Sequence, residues 1–215
     1  MKISYAVTVC NEFIEIQRLI SFLLKHIRPQ DEIVVQMDLV LDNLNMESAD
    51  KREVFGYIMK LQEQDYIKVI LKPLNNDFAE FKNHLTEQCT GEYIFQIDAD
   101  EIPSETLIQQ LPNILSTNNT VDVMLVPRWN TVEGLTKDFV EKYKWTVDQH
   151  ERVNWPDYQW RIYKNNKKIS WINKVHERLD GFDTYAPLPE YESLSLFHPK
   201  TIERQQKQNE YYDTF

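Results

Sequence analysis

The 215-residue sequence predicts an α/β fold, a single domain in which a mostly parallel central sheet is flanked by helices, and three observations lead there. Short apolar runs alternate with stretches of helical periodicity through the first hundred residues, the pattern of βα units. Capping and breaking residues stand at their junctions. The composition, 42% hydrophobic and 27% charged, is that of a chain able to bury one sizeable core.

Taken in order, Ile3 to Val9 reads as an apolar, β-branched strand, and Asn11 is placed to cap the helix after it. There Ile16, Leu19, Ile20, Leu23 and Ile27 share one face and Pro29 ends the run. Glu32 to Met37 is a second strand; Val54, Ile58 and Leu61 mark a helix, and Ile67 to Leu71 a third strand. Asp77 and Glu80 have capping-box spacing for a helix reaching about Cys89, which Gly91 is expected to terminate before a fourth strand, Tyr93 to Ile97. After Ser104, Leu107, Ile108, Leu111 and Leu115 form an apolar helix face, with Pro112 in conflict because an interior proline removes a hydrogen bond. Val121 to Val126 is a fifth strand. The second half holds all five tryptophans, 129, 145, 155, 160 and 171, most of them expected in the core, with one or two able to stack on a sugar ring. Segment 131–157 reads as a partly helical excursion, with short strands at 158–163, 168–171 and 194–197 and a polar helix from Thr201 to Tyr212.

Composition excludes several functions. A net charge of −10 provides no general attraction for nucleic acid or anionic lipid, so neither is an expected partner. Two cysteines, Cys10 and Cys89, form no disulfide framework and point to a reducing, cytoplasmic setting. The N-terminal residues have no signal-peptide pattern, and no transmembrane run is present. Four glycines leave no dinucleotide loop and no P-loop, and there is no GxSxG elbow and no HExxH helix. A diphosphate bound by such a chain calls for a metal. Asp98 and Asp100, two carboxylates one residue apart at the exit of a buried strand, suit a hard cation, Mg²⁺ or Mn²⁺. Ligands of open α/β sheets gather at such strand ends.

The stretch Asp77-Phe-Ala-Glu-Phe-Lys-Asn83 with Thr90-Gly-Glu-Tyr-Ile-Phe-Gln-Ile-Asp-Ala-Asp-Glu101 resembles the signature of family 2 glycosyltransferases of the GT-A fold. Val7 to Glu12 is similar to the family's first strand and nucleotide-binding turn, and Glu32 to Asp38 to its second strand, where the family often has two successive acids and this chain has Met37-Asp38. Asp157-Tyr-Gln-Trp-Arg-Ile-Tyr163, Trp171-Ile-Asn-Lys-Val-His-Glu177 and Leu196-Phe-His-Pro-Lys200 resemble later blocks of small members, some acting on lipopolysaccharide core.

The resemblance implies an inverting transfer from a nucleotide-diphosphate sugar, a UDP-sugar, to a hydroxyl of a glycan, lipid-linked or protein acceptor. It also implies a nucleotide-binding half over 1–100, an acceptor-binding half over 101–215, and Mn²⁺ or Mg²⁺ as cofactor. By the same resemblance Thr8, Asn11 and Glu12 line the nucleotide pocket, Asp38 meets the base, Lys82 lies near base or diphosphate, Asp98 near the ribose, and Asp100 on the metal. Glu177 is the candidate general base, the competing reading being an ion pair with Lys174 or Arg178. His198 is either a further metal ligand, a diphosphate contact or a strand-end residue satisfied by backbone. Arg161 is either a bidentate clamp on phosphate or carboxylate or a solvent-facing strand residue, and Lys200, Arg204 and Lys207 read as a solvated helix face. Two other classes compete: a catalytically silent glycan-binding module of this fold, and a metal-dependent nucleotidyltransferase, whose glycine- and basic-rich triphosphate loop residues 8–15 lack.

Overall fold

Continuous burial of the first strand sets the architecture. In β1 (Ile3–Val9) the run from Ile3 to Val7 is shielded on both pleat faces, which only a strand inside a helix-covered sheet achieves. The computed structural model describes residues 1–39 and 49–212. Around β1 it arranges α1 (Phe13–His26), β2 (Glu32–Asp38), α2 (Ala49–Glu63), β3 (Lys68–Lys72), α3 (Phe78–Glu87) and β4 (Tyr93–Asp98). These strands are all parallel, in the order β3-β2-β1-β4. The register sets Thr8 opposite Asp98, so the ends of β1 and β4 open at one level.

The second half extends the same sheet. It contributes β5 (Ile102–Pro103), α4 (Glu105–Thr117), β6 (Val123–Glu133), α5 (Lys137–Tyr143), β7 (Tyr158–Lys164), β8 (Ser170–Ile172), β9 (Arg178–Asp180), β10 (Tyr185–Pro187), β11 (Leu196–Thr201) and α6 (Ile202–Tyr212). β7 inserts antiparallel between β4 and β6, and β11 runs parallel to β6 and antiparallel to β5. The sheet is therefore mixed rather than purely parallel, while β8 and β9 form a separate hairpin. Helices α1 and α4 cover one face through Leu19, Leu23, Leu107 and Leu111; the other carries a smaller core with Leu85, Tyr163 and Trp171.

Several local expectations change. The N-cap of α1 is Glu12, not Asn11, and it caps through no side-chain bond; its carboxylate turns back to accept from the backbone N–H groups of Cys10 and Asn11. Helix α3 keeps its predicted cap, Asp77 accepting from the N–H of Glu80 at 2.9 Å, but ends at Glu87. Gly91 serves a different purpose: a Cβ there would fall 2.6 Å from the Ser4 nitrogen, so glycine lets the entry of β4 approach β1. Helix α4 continues through Pro112, its four buried apolar residues outweighing one lost hydrogen bond. Of the tryptophans only Trp171 is buried. Trp129 and Trp155 are half-buried and hold the Arg152 guanidinium, 4.9 and 4.3 Å from their ring centroids, which ties the excursion after α5 to β6. No helix among the described residues is long and apolar enough to cross a membrane.

Candidate active site

Asp98 ends β4 and gathers one partner from each neighbouring element. The Thr8 hydroxyl of β1 donates to its Oδ1 at 2.8 Å, Lys82 Nζ of α3 stands 3.2 Å away, and Arg161 of β7 donates to its Oδ2 at 2.5 Å. Burial would raise this carboxyl, but the Arg161 and Lys82 cations hold it well below the usual range, so it stays ionised. Arg161, buried rather than solvent-facing, grips Glu101 bidentately, Nε to Oε2 at 3.0 Å and Nη2 to Oε1 at 2.7 Å. Arg128 also reaches Glu101, at 3.1 Å, and Asp157, at 2.7 Å. Arg161 thus engages carboxylates, and Glu101 anchors the turn carrying both aspartates.

Lys82 donates to Glu177 Oε1 at 2.7 Å, and this pair replaces those anticipated with Lys174 or Arg178. Burial lowers the lysine's proton affinity, yet Asp98 and Glu177 raise it further, so the ammonium persists. Glu177 follows β8, beside His176 in the left-handed region at φ 53°. The chain turns there and delivers Glu177 to the site.

Asp100 faces the opposite group. His198 of β11 brings Nε2 to 3.2 Å from Asp100 Oδ2, and Lys200 Nζ and Arg204 Nη2 lie 3.7 and 3.5 Å from the same oxygen. On its other side His198 Nδ1 meets Asn130 Oδ1 at 2.6 Å, while the Asn130 amide donates to Asp157 at 2.6 Å. Asp157 therefore fixes the Asn130 amide, which requires the imidazole hydrogen on Nδ1. Burial lowers the pKa of His198 against the pull of Asp100, and with the hydrogen on Nδ1 it is Nε2 that faces the Asp100 carboxylate. Burial would raise the Asp100 carboxyl, and a protonated His198 would do most to lower it. Lys200 and Arg204 lower it as well, and together with His198 they hold it well below the usual carboxylate range.

This donor set fits a divalent cation. Neighbouring ligands of an octahedral ion with bonds of about 2.1 Å stand about 3 Å apart, close to the Asp100–His198 spacing. Among the described residues no group of three or more His, Cys, Asp or Glu side chains is placed to hold a metal ion. A cation here would take two protein ligands and complete its shell with substrate oxygens and water.

Two cavities open beside the aspartates. A smaller one, about 180 Å³, is walled by Thr8, Glu12, Asp38, Leu74 and Phe78, with Lys82 within. Asp38 accepts from the Leu74 N–H at 2.9 Å and lies 3.3 Å from Lys51 Nζ. Burial, with Glu12 nearby, pushes the Cys10 thiol up to about 12, and it donates to Asp38 at 3.5 Å. Burial likewise raises Glu12. Asn11 is exposed and lies off this wall. The larger cavity, about 360 Å³, is lined by Asn130, Trp145, Asp157, Trp160 and His198, among others. Asp98, Asp100 and Glu177 belong to both.

Sequence reasoning missed Glu101, Arg128, Asn130 and Lys200. Lys200 is buried on β11, not on a solvated helix, whereas Lys207 is exposed as expected. Its signal was the period-two run Leu196, His198, Lys200, all buried on one strand face.

Among curated relatives are the SPbeta prophage-derived glycosyltransferase SunS of Bacillus subtilis (strain 168) and glycosyltransferase SunS of Bacillus phage SPbeta. Each is 21% identical over 132 residues, which are 61% of this chain and 27% of the relative. The chain thus matches about a quarter of their length. Crystal structures of S. aureus TarS 1-349 superpose on 93% of this chain: the complex with UDP at a TM-score of 0.60 and 15% identity over 60% of that chain, the complex with UDP-GlcNAc at 0.58 and 16% over 59%. At that identity the likeness shows the fold, a GT-A-type α/β domain. The sequence signature described as "Glycosyl transferase family 2" matches residues 4–185, a span holding β1 to β4, the Asp98–Asp100 turn, Arg161 and Glu177: the chain belongs to glycosyl transferase family 2.

Proposed function

We propose that the chain is an inverting glycosyltransferase that moves a sugar from a nucleotide-diphosphate donor, a UDP-sugar, to a hydroxyl of a glycan, lipid-linked or protein acceptor. The observation that carries this reading is the pair of adjoining cavities sharing Asp98, Asp100 and Glu177. The smaller takes the nucleoside between Thr8, Glu12 and Asp38. The larger takes the acceptor, with Trp145 and Trp160 as faces for a sugar ring. The unpaired thiols of Cys10 and Cys89 fit a reducing cytoplasm. The S. aureus TarS complexes with UDP and UDP-GlcNAc make uridine the first nucleotide to test.

A divalent cation bound by Asp100 and His198 would supply charge neutralisation at the leaving diphosphate. Asp98, held by Thr8 and Arg161, orients the ribose side of the donor. Lys82 positions Glu177, which takes the proton from the acceptor hydroxyl as its oxygen attacks the anomeric carbon; the bond to the diphosphate breaks and the electron pair leaves with phosphate oxygen. The attacking oxygen enters opposite the leaving group, so configuration inverts.

Calorimetric titration of UDP with and without Mn²⁺ tests the donor half: metal-dependent binding is expected, and its absence overturns the reading. Glu177→Gln is expected to bind UDP as the parent does while losing roughly 10²- to 10⁴-fold in transfer, the usual worth of a general base. Full turnover by that variant excludes Glu177 as the base.

A further inference from the structure

β7 carries one residue more than β6 can match. Met124 pairs with Ile162 and Leu125 with Trp160, so Arg161 stands between them as a bulge. Successive strand residues ordinarily face opposite sides, but here Arg161 and Trp160 both line the larger cavity. The Trp160 ring also reaches beyond it. Its centroid lies 5.5 Å from that of Phe182 and 5.9 Å from that of Tyr185, and those two rings are themselves 5.9 Å apart. Phe182 and Tyr185 line neither cavity, and Tyr185 is 59% exposed. One aromatic surface therefore leaves the larger cavity at Trp160 and continues onto the outside of the molecule. Its position is fixed by the backbone. Gly181, at φ 80°, turns the chain after β9 where a Cβ would run into the Lys168 carbonyl. The N–H groups of Asp183 and Thr184 then donate to Asp122 at 3.0 and 3.1 Å, and β10 pairs with β6. Rings held in this way lose little freedom on binding.

We infer that the acceptor is an oligosaccharide of at least two rings: the sugar that receives the transfer lies in the larger cavity, and the next ring stacks on the Phe182–Tyr185 surface outside it. The inference rests on the reading of that cavity as the acceptor site. The wall leading to Trp160 carries Asn130, Asp157 and Gln159 beside the aromatic face. A sugar offers hydroxyls to the first and C–H faces to the second. An acyl chain would cover those polar groups without giving them a hydrogen bond. An extended peptide would need a sheet edge to join, and β10 is three residues long and ends in Pro187, which has no N–H to donate. Tyr185 is thus a specificity residue that selects chain length and takes no part in the transfer.

The experiment uses the full chain with UDP and Mn²⁺ present. A glycan array running from single sugars to tetrasaccharides is probed first, with an octyl glycoside and a serine-rich peptide as competing probes. The glycans retained are expected to be oligosaccharides. In calorimetry the tightest of them should bind about three- to tenfold more strongly than methyl glycosides of its single sugars, the usual worth of one aromatic contact. Tyr185→Ala should erase that advantage and leave the single sugars as they were, while Tyr185→Phe keeps it. UDP affinity should match the parent in both variants, because Tyr185 lines neither cavity. Single sugars retained as well as oligosaccharides, no glycan retained although UDP binds, or an advantage that survives Tyr185→Ala overturns the inference. So does a loss of UDP affinity together with the glycan in Tyr185→Ala, or stronger binding of the octyl glycoside or the peptide than of any oligosaccharide. A parent that binds no UDP with Mn²⁺ overturns the functional reading itself, and the inference with it.

Discussion

Asn130 touches neither aspartate of the Asp98–Asp100 turn, yet the proposed metal site depends on it. Its amide, turned by Asp157, keeps the His198 hydrogen on Nδ1 and leaves Nε2 bare toward Asp100. Partners that fix the tautomer of a ligating histidine are typically worth about 10- to 100-fold in metal affinity. Asn130→Leu is therefore expected to weaken Mn²⁺ binding, without nucleotide, by about that factor, and unaltered affinity in calorimetry or in the free-Mn²⁺ paramagnetic signal would refute the relay. At this scale the sequence disclosed the ends of its own strands: Asp98 and Asp100 stood out because a buried run delivers them. It did not disclose Asn130, which is 68 residues from His198. A polar side chain gains meaning there only once β6 and β11 lie side by side, and nothing local specifies that pairing. Lys200 was obscured for a nearer reason: ending the strand at Phe197 broke the alternation that buries it.

Elements are joined by a few polar stitches, and Glu32 at the start of β2 is the densest. It accepts from Lys2 Nζ at 2.8 Å, the Ser4 hydroxyl at 2.5 Å and the Thr90 backbone at 2.6 Å, tying β1, β2 and the loop before β4. Burial would raise its pKa, but those donors bring it down to about 2 from an ordinary 4.5. A depressed carboxylate adds stability above its unfolded pKa and loses it as pH falls through the folded one. The shift alone corresponds to about 3 kcal/mol, and partial exposure discounts this to about 1–2 kcal/mol. Glu32→Gln should cost that much at pH 7 in urea unfolding, and the gap to the parent should shrink by about half or more at pH 3. A gap equal at both pH values would count against the stitch. Elements with their own periodicity or caps were readable, as with α1, α3 and the four parallel strands. The two- and three-residue strands β5 and β10 were not, because each exists only through a partner distant in sequence, and β9 is too short to show a period of its own.

The expected nucleotide-binding and acceptor-binding halves share one sheet. β7 seats Ile162 and Tyr163 against Phe95 and Ile94 of β4, and Ile162, Leu188 and Leu196 from the second half belong to the same core as Ile3, Val7 and Leu19 from the first. Lys82 and Thr8 from the first half complete a site whose Arg161 and Glu177 come from the second. Cutting between the halves would expose the edges of both β4 and β7, so neither half buries a core alone. The tryptophans make this testable, since all five lie between residues 129 and 171 and four of them report the second half while Trp171 reports its contact with α3, whereas far-UV circular dichroism reports every helix. Urea transitions followed by tryptophan emission and by circular dichroism should share one midpoint and one slope. With Mn²⁺ and UDP at about a hundred times the dissociation constant, both curves should move together by about 2.7 kcal/mol. Emission changing before dichroism would instead show the second half unfolding from a surviving β1–β4 unit, and the site would then be an interface between two domains rather than the end of one sheet.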